Sequence, residues 1–475
     1  MSCQVFRRPL ESSDWKRFDL YSMKVKVFNI KQATEPAEPT VALSTYMRLA
    51  QSRPQPLPSL VRLHIEAPCA LLEQWPLFAS YNLAHLEMAG IKLDHAHIID
   101  PFMSTLASLA PVLMESLVLS GQFAWSNALG SFVQFRCLHS LMISDPISAE
   151  TLRGFGSLPG LNRFDVILTN SDVPCDVGFP TLETLKIKGT PSVLQSVLDN
   201  ISTPCLLDLR LTIEVVCVQI QKPVPVTSKM QSLNGKVGRS SKSGSGEVQV
   251  EVVTAYRYPP DEWWKRWFAT LNSRWSYTLN SISISLDRCG TGQSQIPLGL
   301  FSGLDPFMKL IRLDFKNSRF SPTADEIRDL ASVCPGIKEL RLSVADCIPR
   351  QELTVNPGGR KVPVGALQAL AEKCPELSFL SIGLDIDSLP PFLPDKVYSH
   401  RLRWICVGSA PETRTTASLL KTARHIHRLF PYLEGVQTCP DNSAGDWKQI
   451  GEMISAYQDI CLDEISRCGT RVIVN

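Results

Sequence analysis

The stretch Ile327-Arg-Asp-Leu330-Ala331-Ser-Val-Cys334-Pro335-Gly-Ile337-Lys-Glu-Leu340-Arg-Leu342 is matched at a fixed offset of 40 residues. Its counterpart is Leu367-Gln-Ala-Leu370-Ala371-Glu-Lys-Cys374-Pro375-Glu-Leu377-Ser-Phe379-Leu380-Ser-Ile382. The first half of each has the apolar spacing of a helix, and the second half alternates as a strand does. Cys-Pro lies between them, where a proline ends a helix and begins an extended segment. Phe179-Pro180 and Phe430-Pro431 hold the same place elsewhere. The unit therefore reads as helix, proline turn, strand.

The strand half, apolar-x-x-apolar-x-apolar, recurs along most of the chain. A first run begins at Leu60, Leu83, Met114, Leu138, Leu161, Leu182 and Leu206. A second begins at Leu279, Leu310, Ile337, Leu377 and Leu402, with a weaker copy at Leu433. Spacings run from 21 to 40 residues, apart from one gap of 73 that requires an insertion. A strand and a helix or looser turn at about 20–29 residues is the period of a leucine-rich repeat. One such unit cannot bury its apolar face, whereas stacked units share a continuous core. The expected fold is α/β: a leucine-rich-repeat solenoid, or horseshoe, with parallel strands on the concave face and helices outside.

The expected organisation follows. Residues 1–45 form an N-terminal cap, with Trp15, Phe18 and Tyr21 at helical spacing and a strand around Val25, Val27 and Phe28. Residues 46–221 hold the first repeat run. Residues 222–246 are basic, rich in Ser and Gly and without an acid. They read as a disordered surface insertion; a phosphorylation or nuclear-import tract around Ser240, Ser241 and Lys242 is the sharper alternative. Residues 247–440 hold the second run, opening with a strand near 247–253 and a helix from Asp261. Trp264, Phe268, Leu271 and Trp275 lie on one stripe of that helix, packed on the stack or left open to a partner. Residues 441–475 form a capping helix and tail, with Ile450, Met453, Ile454, Tyr457, Ile460, Cys461 and Ile465 on its apolar side.

Composition narrows the function. The chain has 475 residues, 44% hydrophobic and 20% charged, which is globular composition. With 48 basic and 46 acidic residues the net charge is +2, so no broad field for nucleic acid or anionic lipid is expected. No apolar run suits a membrane span, and no leader is expected at the N-terminus. Fourteen cysteines then read as reduced thiols in the cytoplasm or nucleus.

No catalytic constellation stands out. There is no phosphate loop and no nucleophile elbow, and Gly290-Thr-Gly292 reads as a turn. No Cys-x-x-Cys pair is present, and His95/His97 and His425/His427 are spaced so that a helix points them apart. Cys334 and Cys374 occupy core positions. Asn200-Ile-Ser202 is a formal sequon, idle without export. The chain is expected to be no enzyme and to carry no cofactor and no metal.

Function is expected on the strand positions that alternate with the core. These include Arg62, His64, His85, Glu87, Arg163, Asp165, Thr184, Lys186, Asp208 and Arg210 in the first run. In the second they include Arg312, Asp314, Glu339, Arg341, Phe379, Ser381, Trp404 and Cys406. Neighbouring strands place Arg312 beside Glu339, Asp314 beside Arg341, and Phe379 beside Trp404. The charges read as a solvated ladder. The aromatic pair reads as a binding hot spot for a protein partner, or as a pair covered by a loop.

Three features resemble the leucine-rich-repeat region of fungal F-box proteins, over most of residues 13–440. They are Ser13-Asp-Trp15-Lys-Arg-Phe18-Asp-Leu-Tyr21 followed by Lys24-Val-Lys-Val-Phe28, then Tyr46-Met-Arg-Leu49-Ala-Gln51 leading into the motif at Leu60, and the Cys/Phe-Pro unit itself. In that family a helical F-box binds the Skp-type adaptor of a cullin ubiquitin ligase, and the repeats hold the substrate. The F-box itself is not found in the sequence. The resemblance thus implies substrate recognition, with a Skp-type adaptor as partner only where an F-box is present. It carries over no site residues. A leucine-rich scaffold or adaptor unrelated to ubiquitin is the alternative.

Overall fold

The structure is a computed structural model. It describes residues 3–4, 11–30, 40–41, 43–66, 72–122, 131–168, 177–214, 216–223, 250–257, 259–287, 299–302, 304–316, 322–342, 362–389, 398, 400–407, 415–438 and 445–471. Its centre is a mostly parallel sheet of fourteen strands laid down in chain order. These are β1 (Val27–Ile30), β2 (Arg62–Glu66), β3 (His85–Ile91), β4 (Ser116–Gly121), β5 (Ser140–Ile147), β6 (Arg163–Leu168) and β7 (Thr184–Gly189). They continue as β8 (Asp208–Glu214), β9 (Ser281–Asp287), β10 (Arg312–Lys316), β11 (Glu339–Leu342), β12 (Phe379–Ile382), β13 (Trp404–Val407) and β14 (Gly435–Thr438).

Each of the thirteen motifs read from the sequence supplies one strand, and the central apolar residue of every motif falls in a single row. Leu63 is in register with Leu86, Leu86 with Leu117, Leu117 with Leu141 and Leu141 with Phe164. The row runs on through Leu185, Leu209, Ile282, Leu313, Leu340, Leu380 and Ile405 to Val436. In the first twelve motifs all three apolar residues are buried; in the last, Leu433 is buried and Val436 half-buried. The fourteenth strand, β1, adds Phe28 to the row opposite Leu63.

A second regularity holds the steps together. The residue after the first apolar position presents its carbonyl to two consecutive N–H groups of the next unit. Val61 O accepts from Ala84 and His85, Ala84 O from Glu115 and Ser116, and Glu115 O from His139 and Ser140. The pattern recurs at all thirteen steps, from Lys26 O to Arg403 O, at 2.7–3.2 Å.

Helices cover the buried face of the sheet in one continuous core. They are α3 (Ala96–Leu109), α4 (Ala149–Gly156), α5 (Pro191–Asn200), α6 (Asp261–Trp275), α7 (Ala324–Val333), α8 (Leu367–Lys373), α9 (Thr416–Leu429) and α10 (Gly445–Arg471); ahead of them α1 (Ser12–Ser22) and α2 (Leu43–Ser52) add no described side chain to that core. Helix starts follow local chemistry. Thr323 caps α7 in a reciprocal capping box with Glu326, and Ser148 caps α4 through Thr151 N–H. Cys334 and Cys374 end α7 and α8 immediately before their prolines. Both thiols are buried. Burial pushes both up from the ordinary thiol range, Cys374 to about 12, so both stay neutral. Cys374 Sγ donates to the Cys334 carbonyl at 3.5 Å.

The gap of 73 residues does not interrupt the sheet, because β8 pairs directly with β9 in an unbroken register from Asp208↔Ser281 to Glu214↔Asp287. The intervening chain leaves as an antiparallel hairpin, Val216–Pro223 against Val250–Arg257. Residues 224–249, which include Ser240, Ser241 and Lys242 of the expected insertion, lie outside the described residues. So does Gly290-Thr-Gly292. Helix α6 then returns to the stack with Trp264, Phe268, Leu271 and Trp275 buried, and with Trp267 buried beside them. Trp263 and Trp275 donate their indole N–H to the carbonyls of Pro191 and Thr203, each at 2.8 Å. Arg274 donates to the Leu198 carbonyl. Helix α6 is thus tied by its polar atoms to the unit before the gap.

At the far end, α10 packs its first half on α9 and β14. Trp447, Ile450 and Ile454 are buried, Met453 and Tyr457 are partly so, and Gln458 donates to the carbonyls of Pro431 and Leu433 at 2.9 Å. Ile460 and Cys461, expected on its apolar side, are exposed, because the helix outruns the strand it covers; Ile465 lies outside the described side chains. Asn200, first residue of the sequon, donates its side-chain amide to the Ser196 carbonyl.

Two outcomes follow from this packing. Leu185→Ala, in the middle of the apolar row, lowers the unfolding free energy by about 2–5 kcal/mol in urea melts. Burial also lowers the pKa of His400, His425 and His427 below the usual imidazole value. A base depressed in the folded state binds fewer protons there than when unfolded. Its stabilisation is complete above an unfolded pKa of about 6.5 and is lost as pH falls below it. The urea midpoint falls between pH 7.5 and 5.5, and the fall shrinks in His425→Met, which does not titrate.

Candidate functional site

Strand alternation leaves the second face of the sheet without helices, and it carries the polar residues expected there. Many of their charges are paired, across strands or within one strand. His64 lies 3.0 Å from Glu87, Lys186 2.7 Å from Asp165, and Arg210 2.7 Å from Asp208 on its own strand. One row further along, Lys188 bridges Glu214 at 3.7 Å and Asp287 at 2.5 Å. The hydrogen bond to Asp287 holds the Lys188 ammonium above the usual lysine value. Exposed pairs of this kind stabilise by about 0–1 kcal/mol, so they define the surface rather than hold the fold.

The six residues singled out from the sequence lie together on β10–β13. Arg312 is in register with Glu339 and Asp314 with Arg341. Phe379 is in register with Trp404. Arg312 reaches Glu339 at 3.7 Å. The Asp314 part of the ladder is corrected: Asp314 is not solvated but 2% exposed. Its carboxylate is held within its own strand, by Arg312 at 3.3 Å and Lys316 at 3.6 Å, rather than across to Arg341. A carboxylate is kept inside only with such partners, and two long cationic side chains lying over it exclude water. Arg341 turns instead to Glu339 at 3.5 Å and lays its guanidinium over the Phe379 ring, 4.5 Å from the centroid.

The aromatic pair remains accessible: Trp404 is 39% exposed and Phe379 half-buried. The indole lies across Gly435 on β14, where a Cβ would meet Trp404 Cζ3 at 2.5 Å and Cε3 at 3.0 Å. Glycine there is what lets the ring lie flat on the sheet. Gly435 also lines a cleft of about 430 Å³ between β14 and α10, with Glu434, Val436, Lys448 and Ile454. The patch therefore has an aromatic floor, an arginine stacked on one side and a cleft on the other.

Lys316 and Gly435 were not singled out from the sequence. Lys316 follows the same alternation as Arg312 and Asp314 and could have been read from it. Gly435 sits in the weakest motif, and only the ring above it gives it meaning. Elsewhere, His95 accepts from Lys92 N–H while His97 contacts the Asp94 carbonyl, so the two rings make separate contacts. Among the described residues no three His, Cys, Asp or Glu side chains are grouped to hold a metal, and no helix is long and apolar enough to cross a membrane.

No family model and no curated protein matches the sequence. Among solved structures, a chain of the yeast Rad7–Elc1 complex aligns with a TM-score of 0.31 and 13% identity, over 84% of this chain and 76% of that one. A chain of the mouse RP105/MD-1 complex aligns with a TM-score of 0.25 and 11% identity, over 76% and 63%. Scores this low decide nothing about this chain.

Gly435→Ala displaces the Trp404 ring into solvent at a cost below about 1 kcal/mol, since the ring is the free end of a side chain. The indole N–H resonance of Trp404 shifts while the urea midpoint hardly moves.

Proposed function

We propose that the chain is a protein-interaction module built as a leucine-rich-repeat solenoid. Its strands line a concave face, and the patch of Phe379, Trp404, Arg312, Asp314, Glu339 and Arg341 holds a protein partner there. The observation that carries this reading is the adjacency of Phe379 and Trp404, half-open to solvent beside paired charges on a mostly polar face. Aromatic and arginine side chains concentrate binding energy where a partner can seal them from water. Arg341 over Phe379 supplies both in one place. The paired charges around them contribute register and selectivity more than affinity. Asp314 acts from beneath, by fixing Arg312 and Lys316.

The resemblance of the repeat units to the substrate-holding part of fungal F-box proteins extends the reading. The partner is then a protein destined for ubiquitin transfer, in the cytoplasm or nucleus. A scaffold or adaptor outside ubiquitin chemistry uses the same patch in the same way, and the two differ in what else is bound.

Trp404→Ala and Phe379→Ala are expected to leave the thermal melt unchanged and to weaken partner capture by about thirtyfold, equivalent to about 2 kcal/mol. Affinity purification with mass spectrometry is run on the full chain and both variants. Proteins retained by the parent and lost from both variants carry the reading. A Trp404→Ala chain that unfolds in its C-terminal half would make the residue core and remove it. A Skp-type adaptor and a cullin among the retained proteins favour the ligase; their steady absence leaves the scaffold.

A further inference from the structure

At the opposite end of the sheet, β1 is the terminal strand, and its outer side carries no strand partner among the described residues. Lys26 O faces β2, where it accepts from Val61 and Arg62. By alternation Phe28 and Ile30 face β2 as well, so the backbone groups of Val27 and Asn29 point outward. An open edge of this kind is a template for another strand.

The segment that leads into that edge is both apolar and basic. Leu20, Tyr21, Met23 and Val27 are each more than half exposed, at 54%, 54%, 57% and 55%. Lys16 and Leu20 lie at i and i+4 on α1, with Arg17 and Tyr21 parallel to them, and Met23 and Lys24 follow in the turn that leads to β1. Arg17 and Lys24 each lie 5.9 Å from the centre of the Tyr21 ring. The acidic groups nearby are already engaged. Asp14 accepts from Glu11 N–H at 2.9 Å, and Asp19 is clasped by Arg53 Nε and Nη2 at 2.7 Å each. That clasp holds the Asp19 carboxyl below its usual range. Lys16, Arg17, Lys24 and Lys26 are exposed and form no ion pair among the described residues.

We propose that this N-terminal edge, α1 with β1, is a second docking surface that takes an acidic polypeptide segment, added as a strand along β1 with its carboxylates against Arg17, Lys24 and Lys16. Charge complementarity sets the sign of the partner, and the outward backbone groups of Val27 and Asn29 set its class. Only a polypeptide can use them, whereas a lipid surface or a nucleic acid would use the cations alone. Lysines on an edge strand can also serve simply to repel stray strands. Leu20, Tyr21 and Met23 left in solvent ahead of the strand, and Val27 left in solvent on it, argue for an occupant.

The test uses the full chain and fluorescein-labelled peptides of about eight residues, one alternating Glu and Val, the other alternating Lys and Val. The Glu/Val peptide binds, and binding weakens as salt rises. In Arg17→Glu/Lys24→Glu its affinity falls at least about tenfold with the melting temperature unchanged. Asn29→Pro, which removes one outward N–H, lowers it as well. The proposal is overturned by equal binding of the two peptides, by binding of neither, or by binding that survives either variant. Phosphatidylserine vesicles or single-stranded oligothymidine captured in preference to the Glu/Val peptide would assign the edge to a different anion and overturn it too.

Discussion

One carbonyl between each pair of strands does the ordering in this protein. In each unit the oxygen just after the leading apolar residue receives two successive N–H groups from the following unit. A single acceptor shared in this way fixes where the next strand begins, to the residue. A slip of one position would send every leucine of that strand to the solvent side. The apolar row from Phe28 to Val436 is therefore a consequence of backbone geometry repeated thirteen times, with leucine, isoleucine, valine and phenylalanine filling it as volume allows.

The same constraint builds the polar face. Once the apolar residues are aligned, the residues between them are aligned too, and charges of opposite sign meet across strands without any dedicated device. Many cations on that face are consumed in pairs, some across strands and some within one strand. Two features stand apart from this pairing: an aromatic pair near one end of the sheet, and at the other a basic segment with no ion pair among the described residues. The two differ in kind. The first is a flat platform with a stacked guanidinium. The second is a terminal strand whose outer side pairs with no other strand among the described residues.

Much of this was readable from the residues alone. The 40-residue self-match gave helix, turn and strand in the right order, and alternation placed Phe379 beside Trp404 and Arg312 beside Glu339. What alternation could not supply was depth. Asp314 has the same parity as its exposed neighbours, yet two cationic side chains of its own strand fold over it. Nothing in a linear pattern distinguishes a carboxylate facing water from one lying under an arginine and a lysine. Gly435 was hidden for the opposite reason, since its role depends on a ring contributed by another strand. Trp267 joins the buried set of α6 because it lies three residues from Trp264 and four from Leu271, on the margin of the same stripe.

The antiparallel hairpin between β8 and β9 separates two kinds of continuity. The covalent chain travels out along Val216–Pro223 and back along Val250–Arg257, while the sheet crosses directly from one strand to the next. The indoles of Trp263 and Trp275 and the guanidinium of Arg274 fasten the returning helix to carbonyls of the preceding unit. Cutting the backbone between Pro223 and Val250 would sever none of these bonds. The two halves are complementary fragments joined by an interface that happens to be intramolecular, and a nicked molecule would retain every contact that makes them one body.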